Sequence, residues 1–175
     1  MFQKTKSTKS KGLLFVAGDH AGLELKNQVV DYLLKEGYEI QDCGPFVLDK
    51  FDDYVDYVAP LAAAVANDPS RARGIILAGS GQGEAILANK FPGVRCALFY
   101  GYKFLGNKKG DIVSLSREHN NSNILSIGAR FVDLSEAKKA IKEWLETPFT
   151  HEYRHVRRLK KIDKIAREIR LKTHF

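Results

Sequence analysis

Cysteine, methionine and tryptophan are scarce in this chain: its 175 residues include two cysteines, one methionine and one tryptophan. Cys43 and Cys96 have neither paired nor metal-ligand spacing, so we expect two reduced thiols in a cytoplasmic protein. Long hydrophobic runs are absent too, since no apolar stretch approaches the roughly 20 residues of a membrane span. The first residues carry lysines without an apolar segment behind them, and we therefore expect neither a signal peptide nor a membrane partner.

Acidic residues are missing from one end of the chain and rare at the other. Residues 1–12 hold four lysines and no acid, and residues 154–172 hold nine Lys or Arg against two acids. Because the formal net charge is only +7, the body between them is mildly acidic. A uniformly basic nucleic-acid face would look different, so nucleic acid is a disfavoured partner. We expect residues 1–12 to be a disordered basic tail and residues 13–175 to be one domain.

Short apolar runs alternate along the chain with amphipathic segments. The runs predict five strands, at residues 13–17, 38–44, 74–78, 95–100 and 124–128. The amphipathic segments predict helices at residues 23–37, 54–68, 84–91, 134–146 and 151–172, of which the second contains Pro60 and the fourth has Ser135 as a cap. This alternation predicts an α/β fold with a doubly wound parallel sheet of five strands, a single domain that ends in a C-terminal helix.

Polar clusters follow four of the predicted strands. They are Asp19 with His20, the segment 79–84, the loop 100–120, and Arg130. Open parallel sheets bind ligands at the carboxyl ends of their strands. We therefore expect these clusters to converge on one edge of the sheet.

The segment "AGSGQGE" (78–84) carries the clearest chemical signal. Its glycines allow backbone N–H groups to approach an anion, and Glu84 at the start of the next helix is expected to be stabilised as an anion and so to be available as a base. The segment lacks the pattern of a dinucleotide fingerprint, of a phosphate-binding loop with Gly-Lys-Ser/Thr, and of a nucleophile elbow. A glycine turn that serves backbone geometry alone remains the alternative.

Two further polar segments are ambiguous by themselves. Asp19 and His20 in "GDHAG" fit a turn as well as a site, and "REHNNSN" (117–123) fits a solvated helix end followed by turn formers. The five histidines are scattered and no thiol joins them, so we expect no metal. Arg154 and Arg158 share a helical face, which suits a phosphate dianion as well as a solvated basic surface.

Together the segments resemble one family, the type B ribose-5-phosphate isomerases and their galactose-6-phosphate isomerase relatives. The matching motifs are "GDHAG" (18–22), "AGSGQGEAILANK" (78–90), "GVRCAL" (93–98), "SREHNNSNILSIGAR" (116–130) and "YRHVRRLKKI" (153–162). The resemblance implies a Rossmann-like sheet, a homodimer or dimer of dimers with active sites between subunits, no metal and no cofactor. It also implies aldose–ketose interconversion through an enediolate.

The resemblance also implies roles for individual residues. Glu84 matches the base, His119 the ring-opening histidine, and Ser80 a residue that moves or holds the hydroxyl proton. The amides of residues 79–83 match the oxyanion cradle. The implied substrate contacts are Asp19, His20, Tyr54, Gly79, Gly81, Gln82, Gly83, Asn120, Arg130, Arg154 and Arg158, with the phosphate held by His20 and the three arginines.

The chain departs from the family pattern in two places. Ala78 stands where many members have a catalytic cysteine, and residues 101–116 form a longer loop than the family pattern has. The expected reaction is interconversion of ribose 5-phosphate and ribulose 5-phosphate. The alternatives are isomerisation of a six-carbon phosphosugar of the galactose 6-phosphate or allose 6-phosphate type, and a phosphosugar-binding protein without catalysis. Nucleic-acid binding through the basic ends is a weaker alternative.

Overall fold

The computed structural model describes residues 11–102 and 112–172. Strands and helices alternate along the chain as the hydrophobic pattern predicts. The strands are β1 (Leu13–Gly18), β2 (Glu39–Asp42), β3 (Arg73–Ala78), β4 (Cys96–Phe99) and β5 (Ile124–Gly128). The helices are α1 (Leu23–Lys35), α2 (Tyr54–Asn67), α3 (Gln82–Ala88), α4 (Ile112–Glu118), α5 (Leu134–Glu146) and α6 (Tyr153–Lys172).

The five strands form one parallel sheet in the order β2-β1-β3-β5-β4. Helices α1, α4 and α5 pack on one face around the buried Trp144, and α2 and α3 pack on the other face around Leu61 and Val65. The predicted doubly wound α/β domain is therefore confirmed. The chain turns in opposite directions from β1 and β3, so the carboxyl ends of these two strands form the switch point where such sheets bind ligands.

Helix α2 forms in spite of Pro60, which removes one backbone hydrogen bond at a cost of about 3 kcal/mol. Val58, Leu61 and Val65 are each fully buried on the sheet. Burying side chains of this size contributes roughly 1.5–3 kcal/mol apiece, and this outweighs the local cost.

Two details of the sequence-based prediction were wrong. Residues 112–118, expected within a loop, form α4. The cap of α5 is Asp133, whose carboxylate accepts the N–H of Glu136 at 2.8 Å, and not Ser135. Of the predicted tail, residues 1–10 lie outside the described residues, and Lys11 donates its N–H to the carbonyl of Gly37 at 3.0 Å. Residues 103–111 of the long loop also lie outside them.

Candidate active site

Asp19 links the segments that follow β1 and β3 at the switch point. One of its carboxylate oxygens accepts the N–H of Gly22 at 2.8 Å and the other accepts the N–H of Gly79 at 3.1 Å. Gly22 lies so close to β3 that a Cβ would stand 1.8 Å from the carbonyl oxygen of Leu77. The motif "GDHAG" thus needs its final glycine for the approach of α1 to β3, and its aspartate for the link between the two strand ends.

The glycine loop turns sharply into α3. Gly81 is the N-cap of α3 and has φ 71°, a left-handed conformation that favours glycine. A Cβ on Gly83 would stand 2.8 Å from the hydroxyl of Tyr54, so the phenol of Tyr54 lies directly against the loop. Tyr54, the predicted sugar contact, therefore lies next to the glycine loop.

Glu84 lies in the first turn of α3 and is only 4% exposed. Burial raises the pKa of Glu84 above its usual value and the nearby Asp19 adds to this, while a hydrogen bond from its own backbone opposes it. The expectation that the helix start would favour the anion is therefore wrong in its net effect, because desolvation is the larger influence. A carboxylate that burial makes more basic is suited to accept a proton near neutral pH.

Arg130 brings a positive charge to the same edge. Its N–H donates to the carbonyl of Gly79 at 3.2 Å, and its guanidinium carbon lies 3.3 Å from where a Cβ of Gly79 would be. His20, at the end of β1, pairs through Nδ1 with Oδ1 of Asp52 at 2.6 Å. Three of the predicted clusters, at residues 19–20, at 79–84 and at Arg130, therefore meet at one edge as expected.

A cavity of about 420 Å³ lies beside the glycine loop. It is lined by Ser80, Gln82, Tyr100 and Phe131. The hydroxyl of Tyr100 is buried and has no hydrogen-bond partner in the described part of the chain. The Ser80 hydroxyl accepts the N–H of Gln82 at 3.3 Å.

The amides of the loop differ from the predicted cradle. The N–H of Gly79 donates to Asp19 and that of Gln82 to the Ser80 hydroxyl. Gly79 and Gln82 therefore use their amides to stabilise the loop. Of the predicted oxyanion cradle, only the amides of residues 80, 81 and 83 are left for a ligand.

His119 and Asn120 lie at the opposite end of the strands from Glu84. Helix α4 carries the chain back from the carboxyl end of β4 to the start of β5, and His119 directly follows its last residue. Close by, the carbonyl of Asn123 accepts the N–H of Gly74 at 2.9 Å, at the start of β3. The expectation that this segment converges with the others within one chain is wrong, because α4 carries His119 and Asn120 away from the carboxyl ends of the strands.

The imidazole of His119 stacks on that of His155, with ring centroids 4.3 Å apart. His155 follows Arg154 in the first turn of α6 and is 3% exposed. Burial lowers the pKa of His155, and the nearby His119 lowers it further. Arg154 is exposed; its Nε lies 2.8 Å from Glu152 and 3.2 Å from Nε2 of His155. Arg158, one turn along α6, is also exposed.

Each chain thus carries two groups of predicted site residues at opposite edges of the sheet. Strand β3 between them has six residues, which corresponds to about 20 Å. The first group contains Glu84, Asp19 and Arg130, and the second contains His119 and Arg154.

Three residues next to the two groups were not predicted as site residues from the sequence: Asp52, Tyr100 and His155. Asp52 was available as the first acid of "DDYVDY", and His155 as the histidine between the arginines of "YRHVRR". In residues 11–102 and 112–172, no three His, Cys, Asp or Glu side chains come together in a way that could hold a metal ion. None of the described helices is long and apolar enough to cross a membrane.

Comparison with known proteins agrees with this architecture. The ribose/galactose isomerase family profile matches residues 14–162. A protein of Mycolicibacterium paratuberculosis named ribose-5-phosphate isomerase B is 38% identical over 146 residues, which are 83% of this chain and 86% of the relative.

Solved structures of similarly named proteins have the same fold. The isomerase B of Mycoplasma genitalium with bound ribulose 5-phosphate superposes with a TM-score of 0.82 at 33% identity, covering 91% of this chain and 99% of that one. The isomerase B of Clostridium thermocellum has a TM-score of 0.79 at 35% identity, covering 90% and 99%.

The fold is that of a Rossmann-like α/β isomerase. The chain belongs to the ribose/galactose isomerase family. The predicted enzyme class, a sugar-phosphate aldose–ketose isomerase, is thereby confirmed, in preference to the binding protein without catalysis.

Proposed function

We propose that this enzyme interconverts ribose 5-phosphate and ribulose 5-phosphate, with Glu84 as the base. The observation that supports this most is the buried carboxylate of Glu84, whose pKa burial raises, beside a glycine loop at the switch point. The names of the relatives, and the ribulose 5-phosphate bound in the Mycoplasma genitalium structure, favour a five-carbon substrate.

The chemistry begins with the open-chain aldose. Glu84 takes the proton from C2, and the electron pair of that bond forms the C1–C2 double bond while negative charge develops on the C1 oxygen. In this proposal the amides of Ser80, Gly81 and Gly83 stabilise this oxyanion, and each such donor is worth about 3 kcal/mol of barrier. Ser80 assists the proton transfer from O2 to O1. The proton on Glu84 then returns to C1, which leaves the carbonyl at C2.

Ring opening and phosphate binding need the second group of residues. In this proposal His119 opens the furanose ring and Asn120 contacts the sugar, while Arg154 and Arg158 join His20 and Arg130 at the phosphate. Guanidinium groups suit a phosphate dianion because their planar N–H forks match its oxygens.

We propose that a second copy of the chain supplies these residues, in a homodimer or a dimer of dimers. Two observations support it. The two groups lie at opposite edges of one chain, so neither completes the site of its own chain. Helix α6 also exposes apolar side chains at helical spacing, with Ile162 at 58% and Ile165 at 55% exposure, and such a stripe is usually buried against another element.

The test is a panel of five- and six-carbon phosphosugars offered to the purified enzyme in a coupled assay. We expect the highest kcat/KM for the ribose 5-phosphate and ribulose 5-phosphate pair. Preferred turnover of galactose 6-phosphate or allose 6-phosphate would contradict the substrate assignment, while leaving the isomerase chemistry in place.

A further inference from the structure

His20 is paired with an acid that has no assigned role. Its Nδ1 lies 2.6 Å from Oδ1 of Asp52, and the Asp52 side chain is only 2% exposed. The second oxygen, Oδ2, is buried and has no hydrogen-bond partner among the residues that the structure describes. A buried carboxylate is costly unless a counter-charge or donors compensate it, so His20 is the group that offsets its charge.

We propose that Asp52 is the positioning residue of His20: it fixes the ring orientation, holds the proton on Nδ1, and thereby directs Nε2–H at the phosphate of the substrate. This inference rests on the proposed function, which assigns His20 to the phosphate. The imidazole side chain is 31% exposed, so its outer edge remains accessible while Asp52 holds the inner one.

The loop that carries Asp52 is built to turn this side chain inward. Asp49 accepts the N–H of Phe51 on its side chain at 2.9 Å and the N–H of Asp52 on its carbonyl at 3.2 Å. These bonds form a turn in which Phe51 is 95% exposed while the neighbouring carboxylate is buried. The turn thus points Phe51 outward and the Asp52 carboxylate inward, beside His20.

Charge explains why an acid is useful behind a phosphate ligand. Asp49, Asp53 and Asp56 lie in the same segment, so a phosphate dianion here needs an oriented donor from His20 in addition to the guanidinium of Arg130. An imidazole that lies between a carboxylate and a phosphate carries both protons and donates to each. Asp52 thus orients His20 as a hydrogen-bond donor to the phosphate, just as carboxylates orient histidines that bind metals.

The experiment compares Asp52→Asn with wild type in steady-state kinetics and in ¹⁵N NMR of the His20 ring, assigned with a His20→Gln variant. Asparagine keeps the shape but removes the charge, and its amide can donate to Nδ1. We expect KM for ribose 5-phosphate to rise on the order of 10- to 100-fold with kcat within about threefold, and Nδ1 of His20 to lose its proton. The control is Asp49→Asn, which perturbs the same turn without touching His20.

An unchanged KM in Asp52→Asn, an equal rise in Asp49→Asn, or a loss confined to kcat would overturn the proposal. If Asp52→Asn does not fold, wild-type NMR still decides, because an unprotonated Nδ1 would contradict it. The proposed function fails separately, by absence of turnover in the wild-type enzyme, and the NMR readout does not depend on turnover.

Discussion

The imidazole rings of His119 and His155 lie nearly parallel, with centroids 4.3 Å apart and an angle of 10° between their planes. His155 is buried and its pKa is lowered, so it presents a neutral, flat surface to His119. A ring held in this way loses little freedom when it meets the substrate. The stack therefore connects α6, which carries the arginines, to the histidine that we assign to ring opening.

His119→Ala should reduce turnover of the cyclic sugar more than turnover of an open-chain analogue, because only the cyclic form needs ring opening. Loss of a positioned acid–base group costs roughly 10²–10⁴-fold. His155→Phe, which keeps a flat ring against His119, is the matched control and should retain most of the activity. Equal losses on both substrates in His119→Ala would remove the ring-opening role.

Glu84→Gln should still bind the substrate and lose roughly 10²–10⁴-fold in kcat, since the amide has no lone pair basic enough to take the C2 proton. In wild type, kcat/KM should fall on acidification at a pH above that of an ordinary glutamate, because protonated Glu84 is inactive and its pKa is raised. A variant with ordinary turnover would reject Glu84 as the base.

The same substitution should raise thermal stability at neutral pH. The pKa of Glu84 is raised in the folded state, so its contribution to folding is most favourable below the ordinary value of 4.5 and is lost as the pH rises through the folded-state pKa. The melting temperature of Glu84→Gln should therefore exceed that of wild type at pH 8, and the difference should shrink towards pH 4.5. A constant difference across this range would contradict the burial argument.

Arg154→Ala combined with Arg158→Ala should raise KM for the phosphorylated sugar and change kcat less, because we assign both guanidiniums to the phosphate, which does not react. We expect on the order of a hundredfold for the pair, from charge-assisted bonds of about 1.5–3 kcal/mol each before mutual compensation. Arg157→Ala, on the same turn of α6, is the control. An unchanged KM would leave α6 as a solvated basic face.

Mixing two inactive variants tests whether the site is shared between chains. Glu84→Gln lacks a residue of the first group, and His119→Ala lacks one of the second. In a symmetric dimer, random pairing of the two chains gives mixed dimers in which one site of two is intact, or about a quarter of all sites. Activity should return to about that fraction after subunit exchange, measured against each variant alone. No recovery in verified mixed dimers would mean that each site uses one chain.

The order of strands and helices could be predicted because each element has a clear hydrophobic period. Helix α4 could not, since its seven residues follow a loop and only Val113 shows a strongly buried apolar position. That single helix decides where His119 lies, so the sequence predicted the wrong edge for it. The pKa shift of Glu84 was missed for a related reason: helix position is visible in a sequence, and burial to 4% exposure is not.

Asp52 shows a second limit of prediction from the sequence. Its neighbours Asp49 and Asp53 accept hydrogen bonds from backbone amides of their own segment. The sequence "DKFDDY" does not indicate which of its three aspartates is buried. Asp52 is the buried acid because of the turn at Asp49, which is seen only in the structure.

Asp19 has a consequence for how this enzyme can change its preferred sugar over evolution. Both oxygens of its carboxylate accept main-chain amides, one at the start of α1 and one directly after β3, so replacing it would displace the glycine loop along with any hydroxyl contact. Changes of substrate are therefore channelled to positions that bear no such structural duty, such as the cavity wall at Tyr100.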